Sequence, residues 1–298
     1  MADTTTAAAA LKDVSPEPGV AKPDPILVVD GLRRSFGGLT AVDVDHLEIQ
    51  RGVITALIGP NGAGKTTLFN LLTAFDRADQ GTWILDGRDL GHVSSHKTAN
   101  LGMVRTFQLT KALSRMTVLD NMLLGAANQR GERFVNALVP PAWRAQERAN
   151  TERAEELLDR FNLLEKRDDY AGELSGGQRK LLEMARALMV QPKLVMLDEP
   201  MAGVNPALVQ SLLGHVTSLR DEGMSVIFVE HDMDVVMTIS DWVVVLAEGR
   251  VISEGPPDHV ASDPAVVEAY LGSGELDEEL GIEPSPSSPP PGEEGEGA

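Results

Sequence analysis

The sequence predicts an α/β fold in which buried strands carry polar residues at one end and a helical block interrupts the core. Three observations predict it. Residues 59–67, Gly59-Pro60-Asn61-Gly62-Ala63-Gly64-Lys65-Thr66-Thr67, join an apolar, partly β-branched run to a helix-like one. Two more apolar runs, 194–197 and 225–229, end in Asp198-Glu199 and Glu230-His231. Residues 109–171 change to helical spacing and read as an insertion between two halves of the core.

The chain has 298 residues and 42% hydrophobic content, enough for one large α/β domain or two smaller ones. A net charge of −19 argues against a nucleic-acid backbone as the main partner. Part of that charge is local: residues 272–298 hold eight acids and no Lys or Arg, which leaves about −11 for residues 1–271. There is no cysteine, which excludes disulfides and thiolate metal sites and fits a reducing compartment. No run approaches the ~18–20 apolar residues that span a bilayer. Met1-Ala2-Asp3-Thr4-Thr5-Thr6 lacks the basic start of a secretory signal. The expectation is a soluble, cytoplasmic chain that reaches a membrane only through a partner.

Taken in order, residues 1–25 are rich in Ala, Thr and Pro and are expected to be disordered. Ile26–Val29 reads as a strand, and Val42–Asp45 and Leu47–Ile49 alternate as half-buried strands do. Phe36, 29 residues before Lys65, falls on a turn between these strands. It is either an aromatic that stacks on an adenine ring or a core residue at a strand end.

Val53–Ile58 reads as a buried strand and leads into 59–67, which fits the phosphate-cradling pattern G-x-x-x-x-G-K-[ST]. Gly59, Gly62 and Gly64 let the backbone turn its N–H groups toward phosphate oxygens, with Pro60, Asn61 and Ala63 between them. Lys65 reaches terminal phosphates as a point charge, the Thr66 hydroxyl suits Mg²⁺, and Thr67 continues into a helix whose positive end faces the anion. Gly81–Gly87 reads as a strand closing in a turn, and Val104–Gln108 as a strand-like segment ending in an amide. The carbonyl of Gln108 can coordinate Mg²⁺ or attacking water, although a glutamine after an apolar run is by itself ordinary.

Within 109–171, Val118–Leu124 and Ala154–Phe161 have helical spacing, Pro140-Pro141 breaks the chain, and Trp143–Arg153 is charged and helical. Leu174-Ser175-Gly176-Gly177-Gln178 then precedes an amphipathic helix with Leu181, Leu182, Ala185, Leu188 and Met189 as its stripe. Ser175 and the glycines either cap that helix or present N–H groups to an anion. A carboxylate pair at a strand end is costly without a cation or substrate. Asp198 is therefore placed as a Mg²⁺ ligand and Glu199 as the group that orients and deprotonates water, the alternative being a solvated strand end. His231 ends a strand on the same side and can bond a γ-phosphate. The histidines at 46, 92, 96, 215 and 259 show no ligand spacing. Trp242–Ala247 and Val251–Ser253 form a closing hairpin, Pro264–Leu271 a last helix, and 272–298 an unfolded acidic tail.

Assembled, these segments make the chain resemble an ATP-binding subunit of ABC transporters over about residues 26–271. The resemblance implies a P-loop NTPase (RecA-like) core of ABC type, with an antiparallel β subdomain and an inserted α-helical subdomain at about 109–171. It implies that Phe36 is the adenine-stacking position, 59–67 the Walker A loop, Gln108 the Q-loop, and Leu174–Gln178 the signature. Asp198-Glu199 becomes the Walker B end and His231 the switch histidine. It further implies that Ser175, Gly176, Gly177 and Gln178 contact the γ-phosphate bound to a second ATPase subunit, as homo- or heterodimer, so that one chain holds two half-sites.

ATP and Mg²⁺ are the implied ligands, with transmembrane permease subunits as partners, a substrate-binding protein as an indirect one, and a peripheral place on the cytoplasmic face. The segments Gly102–Gln108, Val135–Arg148, Glu230–Met233 and Glu268–Gly272 are similar to the ATPases of branched-chain amino-acid importers. Two departures are visible: Asn205 stands where the family's D-loop has Asp, and Ser175-Gly176-Gly177 is the general signature rather than that subfamily's Tyr-Gly variant. Importers of urea, amides or other small polar solutes, lipid or lipopolysaccharide exporters, and soluble non-transport ABC ATPases are the alternatives.

Overall fold

The computed structural model describes residues 4–106, 113–127 and 140–273. Residues 107–112, which include Gln108, the segment 128–139, and the tail from residue 274 lie outside them. The described chain runs α1 (Thr4–Ala10), β1 (Pro25–Phe36), β2 (Leu39–Gln50), β3 (Ile54–Ile58), α2 (Lys65–Leu72), β4 (Gln80–Leu85), β5 (Arg88–Asp89), α3 (Ser95–Asn100) and β6 (Met103–Arg105). It continues with α4 (Val118–Leu123), α5 (Pro140–Arg160), α6 (Gly176–Ala187), β7 (Leu194–Asp198), α7 (Pro206–Asp221), β8 (Ser225–Val229) and α8 (Met233–Ile239). The hairpin β9 (Trp242–Ala247) and β10 (Arg250–Gly255) and the helices α9 (Pro257–Ser262) and α10 (Pro264–Ser273) complete it.

Two sheets follow from this order. A six-stranded sheet is arranged β10-β9-β3-β8-β7-β6, parallel except for the edge strand β10. A four-stranded antiparallel sheet is arranged β2-β1-β4-β5. The parallel strands are buried on both faces, which is why they read as unbroken apolar runs. Their residues alternate between two cores. Val195 and Leu197 of β7 face the core shared with α4, α5 and α6, while Leu194 and Met196 face the core shared with the antiparallel sheet and α2.

The structure differs from the sequence expectation at the N-terminus, where residues 1–25 were expected to be disordered. Leu11 is buried there and Val14 and Val20 pack on the second core. Lys22 pairs with Glu254 at 2.9 Å, the two side chains 1% and 0% exposed. Its ammonium also lies 4.6 Å from the Trp242 ring centroid. Glu254 accepts a further bond from Trp242 Nε1 at 2.9 Å. Composition averages over the segment and misses these few anchors, each of which closes on a residue far along the chain.

Candidate active site

The parallel strands bring the polar ends together. β3 leads into the loop 59–64, β6 ends at Arg105, β7 at Asp198, and β8 runs into Glu230-His231, all at the carboxyl ends of neighbouring strands, where such sheets hold ligands. The loop needs its glycines at two places above all. Gly59 has φ +145° and a Cβ there would lie 1.9 Å from the Leu246 carbonyl oxygen; Gly64 has φ +100° and a Cβ would lie 2.2 Å from that of Ala41. The loop is thereby pressed between β2 and β9.

α2 begins at Lys65 with Gly64 before it and no capping side chain, a helix end suited to an anion. Lys65 is buried, and Nζ donates to the carbonyl oxygens of Gly59 and of Pro60, the latter at 3.0 Å. The ammonium thus lies against the backbone of its own loop. Thr66 is exposed at the helix start. Phe36 ends β1, exposed, with the Arg34 guanidinium 4.6 Å from its ring centroid. It pairs across the hairpin with Leu39, close to the Ala41 that abuts Gly64. Phe36 therefore ends the strand next to the turn, exposed rather than in the core.

Asp198 and Glu199 face different partners. The Asp198 carboxylate accepts from Arg105 Nη2 at 2.6 Å, with side chains 7% and 4% exposed. Arg105 Nη1 donates to Asn70 Oδ1 at 2.6 Å, and the guanidinium lies 5.4 Å from the Phe69 ring centroid. Glu199 takes the left-handed conformation, φ +47°, which costs a non-glycine residue roughly 1–3 kcal/mol and is found where a structure must aim a side chain. Its N–H donates to the Val229 carbonyl at 3.0 Å, and its Oε1 accepts from His231 Nε2 at 3.0 Å. Glu199 and His231 are therefore brought into direct contact.

Ser175 and Gln178 form a capping box: Ser175 Oγ accepts from the Gln178 N–H at 3.2 Å, and Gln178 Oε1 accepts from the Ser175 N–H at 3.0 Å. Gly176 is exposed, and a Cβ on Gly177 would meet Leu208 of α7 at 1.9 Å. The cap reading is thus realised, while the outer face of the turn stays open to solvent.

Three residues escaped the sequence reading. Arg105 was read only as part of a strand; Lys180 and Glu230 bracket the turn that carries Glu199. Lys180 Nζ donates to the carbonyls of Glu199, Pro200 and Ala202 at 3.0, 3.1 and 2.5 Å. Burial lowers its pKa, against the attraction of Glu230, Glu183 and Glu199. Glu230 Oε1 accepts from the Met201 N–H at 2.7 Å, and its burial pushes its pKa up. The signal available in the sequence was the charged residue itself, in an amphipathic helix or at a strand end where a hydrophobe is cheaper.

A family model described as ABC transporter matches residues 42–202, more than half of the chain. The chain belongs to the ABC transporter ATPases. A second model, for branched-chain amino acid ATP-binding cassette transporters, matches residues 250–275. The chain is 41% identical over 257 residues to a probable branched-chain amino acid transport ATP-binding protein LivG of Archaeoglobus fulgidus, covering 86% of this chain and 99% of that one. It is 41% identical over 250 residues to the high-affinity branched-chain amino acid transport ATP-binding protein BraF of Pseudomonas aeruginosa, covering 83% and 98%.

Among solved structures, an ATP-binding cassette of an ABC transporter in its ADP conformation superposes with a TM-score of 0.73 at 38% identity, covering 83% of this chain and 99% of that one. CbiO1 of Clostridium perfringens, part of the transporter complex cbiONQ, gives 0.69 at 28% identity, covering 87% and 100%. As an ABC ATPase, the chain hydrolyses ATP. Among the described residues no helix is long and apolar enough to cross a membrane.

The side chains at the strand ends also fit a hard divalent cation. Asp198 already faces a positive charge, and the exposed Thr66 hydroxyl is a second oxygen donor. Among the described residues no cluster of three or more His, Cys, Asp or Glu could hold a metal unaided.

Proposed function

We propose that this chain is the ATP-hydrolysing subunit of an importer of branched-chain amino acids, working as a dimer on the cytoplasmic face of the membrane. The observation that carries the proposal is the left-handed Glu199, held against His231 and next in the chain to Asp198, at the same end of the sheet from which the phosphate loop leaves β3. In this reading the ATP phosphates occupy the loop 59–64 and the start of α2, and Lys65 exchanges the carbonyls of Gly59 and Pro60 for phosphate oxygens. Phe36 stacks on adenine. Thr66, Asp198 and Gln108 would hold Mg²⁺, which would neutralise phosphate charge. Glu199 releases His231, orients the attacking water and accepts its proton, while His231 bonds the γ-phosphate.

One chain carries one phosphate loop and one Ser175–Gln178 turn. The exposed face of that turn supports a role on the nucleotide of a second ATPase subunit, so ATP closes the dimer and hydrolysis reopens it. A groove of about 440 Å³, lined by Thr73, Phe75, Ala99, Arg105, Leu124 and Arg186, lies between the core and the helical block. Its exposed Phe75 and Leu124 suit an apolar segment of a permease subunit. A substrate-binding protein then acts through the permease.

The relatives' printed function and the matched segment 250–275 support the branched-chain assignment. The test is ATP-driven uptake in proteoliposomes carrying this chain, permease subunits and a branched-chain amino-acid binding protein. Leucine uptake is expected. Uptake of urea or an amide without leucine would overturn the substrate.

A further inference from the structure

The four-residue turn 199–202 is held from two sides by groups the mechanism above does not use. On one side Lys180, in the second turn of the helix that Ser175 caps, spends its three N–H donors on the carbonyls of Glu199, Pro200 and Ala202. On the other side the buried Glu230 carboxylate takes the N–H of Met201 at 2.7 Å and the backbone N–H of His231. A cation on the carbonyls and carboxyl oxygens on the N–H groups match the polarity of the turn. The turn is the one that holds Glu199 at φ +47°.

We propose that Lys180, with Glu230 as its counterpart, is a positioning residue that couples the Ser175–Gln178 turn to Glu199 of the same chain. This rests on the reading given above, in which Ser175–Gln178 serves the partner subunit's nucleotide and Glu199 the chain's own. α6 is a rigid rod between the two. A displacement of its N-terminus when the partner's nucleotide is engaged moves Lys180, and three hydrogen bonds carry that displacement into the backbone of Glu199. The two half-sites thereby report to each other inside one subunit, and Lys180 acts through the backbone of the turn that carries Glu199. Only hydrogen bonds are exchanged; no bond is made or broken in this step.

The experiment compares wild type, Lys180→Met, Lys180→Arg and Glu199→Gln as purified full-length chains. It reads kcat and KM for ATP, the cooperativity in ATP concentration, equilibrium binding of a fluorescent ATP analogue, and Tm. Lys180→Met keeps a methionine's length but no donor. It is expected to lower kcat at least thirtyfold, bind the analogue within threefold of wild type, and lose cooperativity, while Lys180→Arg recovers most of kcat.

Normal kcat and cooperativity in Lys180→Met, with Glu199→Gln inactive, would overturn the coupling and leave the general-base reading intact. An active Glu199→Gln would remove the general base and the coupling together. If Lys180→Met fails to fold, Lys180→Arg alone decides. Cooperativity within the wild-type range at reduced kcat would overturn the proposal, and retention of both supports it. A Lys180→Met/Glu230→Leu double variant no slower than the slower single one is also expected, because both act on one turn. Multiplying losses would contradict a shared device.

Discussion

Replacing Arg105 by Met separates the buried ion pair at the end of β7 from the apolar packing around it. The methionine keeps most of the side-chain volume over Phe69, but Asp198 loses the cation 2.6 Å away. Both side chains are nearly inaccessible, 4% and 7% exposed, so solvent screening removes little of the effect. Removing one partner of a buried pair costs about 3–5 kcal/mol. At about 2.1 cal/mol/K of unfolding entropy per residue, 1 kcal/mol shifts Tm of a chain of this size by roughly 1.5–2 °C, so the variant is expected to melt roughly 5–10 °C below wild type. The strand end also invites a replacement charge. Mg²⁺ with ATP supplies a cation beside Asp198, so the ligand should raise the Tm of Arg105→Met more than that of wild type. Differential scanning fluorimetry with and without 5-fold steps of Mg-nucleotide reads both quantities. A loss of Tm under about 2 °C, or equal ligand-induced shifts in the two proteins, would refute the claim that Arg105 balances the Asp198 charge.

Two further outcomes follow from buried charges elsewhere. Lys22→Met leaves the buried Glu254 carboxyl with only the Trp242 and Val20 N–H donors, and should again cost about 3–5 kcal/mol in chemical denaturation. Adding Glu254→Gln should recover a large part, because the amide oxygen still accepts from Trp242; no recovery would show that the pair is not the source. Glu230 has its pKa raised above 4.5 in the folded state, chiefly by burial. Its stabilising contribution is therefore complete below pH 4.5 and is lost as pH rises through the folded-state value. Glu230→Gln removes that titration, so its stability relative to wild type should improve from about pH 4.5 upward, and a difference independent of pH would contradict the shift.

The phosphate loop and the strand ends at Asp198, Glu199 and His231 were legible because each is a contiguous pattern. Glycines, a lysine and a hydroxyl in fixed order match a phosphate-loop pattern, and an apolar run with two acids at its end states a buried strand with a charged end; the sequence offers Mg²⁺ or substrate as its counter-charge, and the structure places Arg105 there. The parallel strands were legible for a related reason: burial on both faces leaves no polar residue inside them. What could not be read depends on pairs distant in sequence. Arg105 meets Asp198 across 93 positions, Lys22 meets Glu254 across 232, and Glu230 meets Met201 across 29. No local pattern joins such partners. α7 is a different case, since Leu212, Val216 and Leu219 are buried at helical spacing and that signal was present but unused. At residues 175–178 the two readings prove compatible: the capping box uses the Ser175 and Gln178 side chains and leaves the outer face of the turn free.

The account turns on Glu199 acting as the base in a site that two subunits complete. Glu199→Gln keeps the shape of the side chain and removes its ability to take a proton. The direct measurement follows ATP turnover of this variant and its sedimentation with Mg²⁺ and ATP. The account predicts turnover reduced at least a hundredfold, undiminished ATP binding, and a dimer that persists while ATP remains. A variant that hydrolyses ATP at the wild-type rate, or that binds ATP and stays monomeric, would contradict it.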